Sequence, residues 1–197
     1  MKKVAVFVDW DNVRKGVFTE AGKRLRYKIN YNDTANVIKY INAFIDPGTE
    51  EVYRIFFYLT DPYGEIIDGT DYSKTNTYKH ATSFIERLSI ANHIAIRKGS
   101  LVPRGKDVNG NTIFIQKKVD MLLGLDIAHV SYCRLADRIL IFSYDTDIVP
   151  ALKVARINGL QVIFPACPDV QPDINRELKI HSDIIREVHF GKVFPKP

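Results

Sequence analysis

The sequence is poor in cysteine and has no long apolar run, and each scarcity narrows what the chain can be. Its two cysteines, Cys133 and Cys167, stand far apart with no Cys-x-x-Cys or Cys/His spacing. A disulfide framework or a structural zinc site is therefore not expected, and both are read as inert core thiols. No stretch approaches the ~18 consecutive apolar residues of a membrane-spanning helix. The start, Met1-Lys2-Lys3 followed by Val4 to Val8, imitates a secretory leader, but Asp9 ends the apolar run too early and no small-residue cleavage site follows. It is expected to be the first β-strand of a cytoplasmic protein. The histidines (His80, His93, His129, His181 and His189) include no i,i+4 pair, so the helical zinc-hydrolase pattern is missing too.

The composition that remains is that of an ordinary globular chain. With 197 residues, 46% of them apolar, it can bury a core without covalent staples, and a single domain over 1–197 is expected. A formal net charge of +5 suits a polyanionic partner without requiring one.

Strand-like and helix-like runs alternate. Val4 to Val8 and Ile139 to Phe142 are apolar on both faces, as in central parallel strands. Val52 to Leu59 and Val162 to Phe164 read as further strands, and Ile94 and Ile96 alternate with polar neighbours. Helical spacing links Val37, Ile38, Ile41, Phe44 and Ile45 after an Asn32 or Asp33 cap, and likewise Ala81, Phe84, Ile85 and Leu88. Lys117 to Val130 reads as a helix, Asp147 as the cap of the next, and Pro172-Asp173 as the opening of a last one around Leu178. Asn109-Gly110 signals a hairpin between Leu101-Val102 and Ile113 to Ile115, with Gly105 to Gly110 as its flexible tip. Leu101 to Gly105 happens to resemble a thrombin recognition sequence and would be open to that protease in an exposed loop. The alternation predicts an α/β fold with a central, mainly parallel sheet, helices on both faces and a hairpin insertion.

In such a fold ligands bind beyond the carboxyl ends of the strands, and that is where acids collect. Asp9-Trp10-Asp11-Asn12 follows the first strand, and Ser143-Tyr144-Asp145-Thr146-Asp147 follows another. Asp120, with Asp126 after it, lies on the helix that follows Lys117-Lys118. Asp9, Asp145 and Asp147 can share one sheet edge, joined by Asp120 from the first turn of its helix. Crowded carboxylates repel, and a hard cation such as Mg²⁺ or Mn²⁺ relieves the repulsion. Such an ion can bind a phosphate oxygen and activate water for in-line attack on phosphorus. Asn12 could hold a water or a phosphate, and Ser143 a metal-bound water. Asp126 lies about 600° around the helix from Asp120 and faces elsewhere, so it either joins the site or only supports it. Asp11 carries the same ambiguity.

These residues resemble a known family. FVDWDN, from Phe7 to Asn12, is similar to the opening F-x-D-x-x-N signature of NYN domains. KKVDMLLGLDI, from Lys117 to Ile127, resembles the family's K-G-V-D-x-x-L-x-x-D helix, and SYDTDIVPAL, from Ser143 to Leu152, its S-x-D-x-D-F-x-P-L motif. Leu178 through Ile185 is similar to the closing segment. The resemblance implies a three-layer PIN-like fold and a metal-dependent ribonuclease, with internal cleavage as the expected mode. It implies Asp9, Asp120, Asp145 and Asp147 as metal-binding acids, with Asn12 assisting. Lys118 and Tyr144 stand where the family usually has glycine, and Tyr144 is expected to narrow the mouth of the site or to stack on a base.

Unpaired RNA is the expected partner, with a homodimer through an exposed edge strand as a further expectation. Arg14, Lys117 and Lys118 flank the acids and could neutralise phosphates, as could Lys15, Arg97, Lys98, Arg104 and Lys106. Trp10, Tyr63, Tyr72 and Tyr78 could stack on bases. Two other readings stay open. A haloacid-dehalogenase-like phosphatase would use Asp9 as nucleophile and Asp11 as acid/base, and a non-catalytic RNA-binding or protein-interaction module would use the same fold without cleavage.

Overall fold

The computed structural model of the chain describes residues 1–171 and 173–196. A central strand, β1 (Lys2–Asp9), runs directly into a helical stretch made of α1 (Trp10–Val13), a π-helical turn (Arg14–Thr19) and α2 (Glu20–Arg24). Then come α3 (Thr34–Asn42) and β2 (Glu50–Thr60). A small hairpin, β3 (Ile66–Ile67) and β4 (Thr70–Asp71), a 3-10 turn (Tyr72–Lys74) and α4 (Asn76–Ser89) lead to the long hairpin of β5 (Ile94–Lys106) and β6 (Thr112–Lys117). The second half holds α5 (Val119–Tyr132), β7 (Arg138–Phe142), a 3-10 turn (Thr146–Ile148), α6 (Val149–Ile157) and β8 (Gln161–Ala166). It ends with α7 (Arg176–Ile180), β9 (Ile184–Glu187) and α8 (Phe190–Val193).

Seven strands form one sheet in the order β6-β5-β2-β1-β7-β8-β9. Among the described residues, β5–β6 is the one antiparallel pair of this sheet. From β1 the chain winds outward through β2 to β5, then returns to the other side of β1 and winds through β7 and β8 to β9. The winding reverses between β1 and β7, which opens a crevice at their carboxyl ends. The apolar reading of β1 is explained by this position: Val4 to Val8 are fully buried because both faces are covered. Alternate residues serve opposite cores. Val4, Val6 and Val8 pack with Val37, Ile41 and Leu88 of α3 and α4. Ala5 and Phe7 pack with Leu123, Ile127, Leu152 and Ala155 of α5 and α6. The expected α/β architecture, sheet and hairpin are all present.

Several local expectations change. The helix carrying Val37 ends at Asn42, before Phe44 and Ile45, and Asp33 is its cap, accepting the Ala35 N–H at 3.0 Å. Lys117 belongs to the hairpin, paired with Ser100, so α5 begins at Val119. Leu101 to Gly105 lies in a paired strand rather than a loop, with Leu101 opposite Gln116 and Pro103 opposite Phe114. The turn itself is confined to Asp107–Asn111, where the Asp107 carboxylate accepts the N–H groups of Asn109 and Asn111. Pro172, expected to open the last helix, lies outside the described residues; α7 is capped by Asn175, which accepts the Glu177 N–H at 2.8 Å. Cys133 is exposed, at the C-terminal cap of α5, and only Cys167 is a core thiol.

At the pole of the sheet opposite the crevice, Glu50 is buried yet charged. Its carboxylate accepts bonds from Arg138 at 2.7 Å, from both terminal nitrogens of Arg186 at 2.7 and 2.8 Å, and from the Asp46 N–H at 2.9 Å. Burial alone would raise its pKa, but these donors hold it at about 2. A folded pKa below the unfolded value means that Glu50 stabilises the fold above pH ~4.5, and that this contribution is lost as pH falls toward 2. Glu50→Ala should destabilise the chain by ~3–5 kcal/mol at pH 7, since two guanidinium groups lose their partner. Urea unfolding at pH 7 and pH 3 checks this: the gap between the two proteins should shrink at pH 3, and an unchanged gap would show that the ionised carboxylate is not what holds β2, β7 and β9 together.

Candidate active site

Asp9 is the last residue of β1 and only 3% exposed. Its Oδ1 accepts the Asp11 and Asn12 N–H groups at 3.1 and 3.2 Å, so it caps the helix that begins immediately after it. Its Oδ2 accepts the Asn12 side-chain amide at 2.6 Å. The Asn12 Oδ1 in turn accepts the Tyr144 N–H at 3.3 Å, which ties α1 to the loop after β7. Burial pushes the Asp9 carboxyl up to about 6; the Asn12 bonds oppose this, and the charges of Asp120 and Asp11 add to it. Among the described residues no cation pairs with Asp9.

Asp145 follows β7 and accepts the Asp147 N–H at 3.0 Å, capping the 3-10 turn. Capping thus falls to Asp145 and not, as expected, to Asp147. The first turn of α6 has no side-chain cap and holds Pro150, whose missing N–H has no helical partner to lose. Asp145 and Asp147 are exposed, as is Asp120 in the first turn of α5. The Asp120 carboxyl is raised by partial burial and by the charges of Asp145 and Asp147. The four acids therefore form an electrostatic chain, with Asp9 sensing Asp120 and Asp120 sensing the other two. Ser143 is fully buried, and its Oγ makes only a long 3.5 Å contact with the Asp145 N–H. Among the described residues, no three His, Cys, Asp or Glu side chains converge closely enough to enclose an ion.

The remaining candidates divide into free and committed groups. Asp11 pairs with Arg14 at 2.6 Å and with Lys15. Burial would raise its pKa, but the two cations outweigh burial and lower it. Asp126 accepts the Tyr58 hydroxyl and the Arg97 Nε, both at 2.8 Å. It braces α5 against β2 and β5, and Arg97 is not free for phosphate. Lys117 and Lys118 are exposed. Lys118 sits in the left-handed region with φ 73°, where glycine is at ease and a side chain is strained. Gly99 makes that turn possible: a Cβ there would lie 2.5 Å from the Lys117 carbonyl oxygen.

Two aromatics depart from expectation. Tyr144 turns its ring into the core, edge-on to Phe164 at 5.7 Å, with its hydroxyl buried beside Tyr40 and Cys167. It neither narrows the mouth nor meets a base. Trp10 is buried and stacked on Phe84 at 4.8 Å, so it is wall rather than platform. Tyr58, which sequence reading missed as a support, carries no signal beyond being a polar-tipped residue near the end of an apolar strand.

The Asp9 geometry has a consequence for stability. Its folded pKa is raised above 3.8, so folding favours the protonated form. That contribution is complete below pH ~4 and is lost as pH rises through about 6, a change of about 3 kcal/mol. In EDTA, the urea midpoint should fall between pH 5 and 7, a window in which Glu50 stays ionised, and Asp9→Asn should flatten the fall. An identical fall in the variant would mean that Asp9 is solvated.

Comparison with known proteins agrees with this geometry. The family model described as NYN domain matches residues 3–185, from β1 into β9, and so spans both acidic loops and the α5 motif. No curated protein matches the chain. A match over nearly the whole chain, with the acids at the switch point of a mainly parallel sheet, places it in a family of PIN-like fold: the chain belongs to the NYN domain family.

Proposed function

We propose that the chain is a metal-dependent ribonuclease that hydrolyses phosphodiester bonds in unpaired RNA. One observation carries the reading. Asp9 is buried, held in place by Asn12 and, among the described residues, paired with no cation, while Asp120 feels Asp145 and Asp147 and is itself felt by Asp9. An uncompensated buried acid is unfavourable unless a cation completes it. The donors are all hard oxygens, which fits Mg²⁺ or Mn²⁺ and not a softer ion. Because no three acids converge among the described residues, the fit is to an ion that keeps most of its waters and takes the rest of its ligands from phosphate.

Asp9 and Asp145 would hold the metal, with Asp120 and Asp147 as further acids. When bound, the ion supplies Lewis-acid polarisation of the phosphate and a more acidic water. Asn12 fixes the Asp9 rotamer and favours its ionised form. Ser143 orients the Asp145 loop from below. Lys117 and Lys118 draw the phosphate chain in, whereas Arg14 acts mainly by holding Asp11. The reading extends to one domain over 1–197 acting in the cytoplasm; a second copy would add at an edge strand, β6 or β9.

Among the alternatives, the phosphatase is least supported, since its acid/base would be an Asp11 already engaged by two cations. A non-catalytic RNA-binding module draws on the same unconverged acids and differs only in the outcome with metal.

Labelled single-stranded RNA incubated in Mn²⁺, Mg²⁺ or EDTA tests the reading. Asp9→Asn and Asp145→Asn should each lose at least ~100-fold in cleavage rate, and Asn12→Ala ~10–100-fold. Asp11→Asn should change the rate only a few-fold. Equal cleavage by Asp145→Asn would overturn the assignment, and binding without cleavage in any metal would favour the module. A separate substitution reports on the strained turn: Lys118→Gly should stabilise the chain by ~1 kcal/mol while weakening RNA binding at low salt. A stability loss would show that the Lys118 side chain is packed rather than strained.

A further inference from the structure

Beside the acidic loops, on the α4 side of the sheet, the chain leaves a cavity of about 820 Å³ that the proposed cleavage chemistry does not use. The size lies within the ~300–1,000 Å³ of sites that enclose organic ligands. Part of its lining is apolar and rigid, with Trp10 stacked on Phe84 at 4.8 Å beside Leu59. Another part is aromatic. Tyr63, Tyr72 and Phe114 pack on one another with ring centroids 4.9 to 5.8 Å apart, and Tyr78 joins them around the cavity. Asp11, Arg14 and Lys15 also line it, and the Asp11 N–H bonds to Asp9. The cavity and the acidic site therefore share the start of the helical stretch that follows β1.

The aromatic lining is not part of either main core. Tyr63 comes from the loop after β2, Tyr72 from the 3-10 turn, Tyr78 from α4 and Phe114 from the hairpin, and none belongs to the two buried clusters. The local backbone is shaped to the rings: a Cβ on Gly64 would come 2.8 Å from the Tyr78 ring. Half-buried aromatics gathered around a preformed cavity offer π-faces to a flat partner. Asn32, His80 and Gln116 add hydrogen-bonding groups suited to the edge of such a partner. Lys15, paired with Asp11 yet largely exposed, can turn to a phosphate beside it, while Arg14 keeps hold of Asp11.

We infer that this cavity is a subsite for an unstacked nucleobase of a single strand, flanking the phosphate presented to Asp9. Flat aromatic area for the base, polar groups for its edge and a cation for the adjacent phosphate are the elements of single-strand recognition. A paired duplex keeps its bases stacked and could not fill the cavity. The position relative to a scissile phosphate rests on the ribonuclease reading; the base-binding itself does not.

Trp10 is the chain's only tryptophan and lies in the cavity lining, so it reports on occupancy. The intact protein in EDTA, where no cleavage is expected, would be titrated with a six-nucleotide RNA, with the same RNA in a blunt duplex, and with the strand carrying one abasic position. The single strand should change Trp10 fluorescence in a saturable way and the duplex should not, and the abasic strand placed in register should bind more weakly. Tyr72→Leu and Phe114→Leu keep apolar bulk but remove a π-face, and each should weaken binding ~5- to 100-fold. Tyr72→Phe should retain the affinity, and Gly64→Ala, which moves Tyr78 without touching the acids, should reduce it. Thermal unfolding of each variant identifies any that fail to fold. Wild-type affinity in folded leucine variants, equal duplex binding, or no binding at all overturns the inference. Metal-dependent cleavage unaffected by these variants would sink the subsite and leave the nuclease standing. Weakened binding without cleavage in any metal would do the reverse.

Discussion

The burial of Asp9 is the constraint on which the rest of the site depends. A carboxylate at the end of the most enclosed strand loses most of its hydration, and two backbone N–H groups and one side-chain amide restore only part of it. Asn12 then acts twice, because the amide that supports Asp9 also receives the Tyr144 N–H and fixes the second acidic loop. The strand order makes this possible by setting β1 and β7 side by side, so both loops emerge at one crevice. Tyr144 completes the arrangement by anchoring its loop in the core through its ring, while the acids that follow it remain free.

Glu50 shows the contrasting solution at the other end of the same sheet. There a buried carboxylate has two guanidinium partners and a depressed pKa, and it fastens strands from both halves of the winding. Among the described residues Asp9 has no such partner, and its pKa is raised. The same chemical group thus serves cohesion at one pole and stored electrostatic tension at the other. The difference lies in what surrounds each carboxylate, and a divalent ion at Asp9 would play the part that arginine plays at Glu50.

Much of this was readable in the sequence, for identifiable reasons. Fully apolar runs at Val4 to Val8 and Ile139 to Phe142 announce strands covered on both faces, and Asn109-Gly110 announces its hairpin because few other residues accept the required backbone. The acids draw notice in sequence because carboxylates gathered at strand ends repel one another, although Asp9 and Asp145 also cap the turns that follow them. What sequence could not supply was the destination of individual side chains. Trp10 and Tyr144 sit beside the acids in sequence yet point into the core, whereas Tyr63, Tyr72 and Tyr78 converge from separate segments. Arg97 looked like one more surface cation until Asp126, 29 residues away, claimed it. Cys133 looked apolar but falls on the outward end of its helix. Each of these depends on contacts between distant segments, to which local periodicity is blind.

The π-helical turn from Arg14 to Thr19 carries a last consequence, one of chain length rather than of residue type. Hydrogen bonds to the fifth residue lodge more chain in each turn than an α-helix does. The extra length lets Arg14 and Lys15 line the cavity while Val17 and Phe18 stay in the core. Deleting one residue here would return the turn to regular helical winding and remove the bulge, so that the core side chains and the cations could not both keep their stations. Across an evolving lineage this stretch should therefore drift in sequence more readily than in length, with insertions and deletions collecting in loops such as the one after β2.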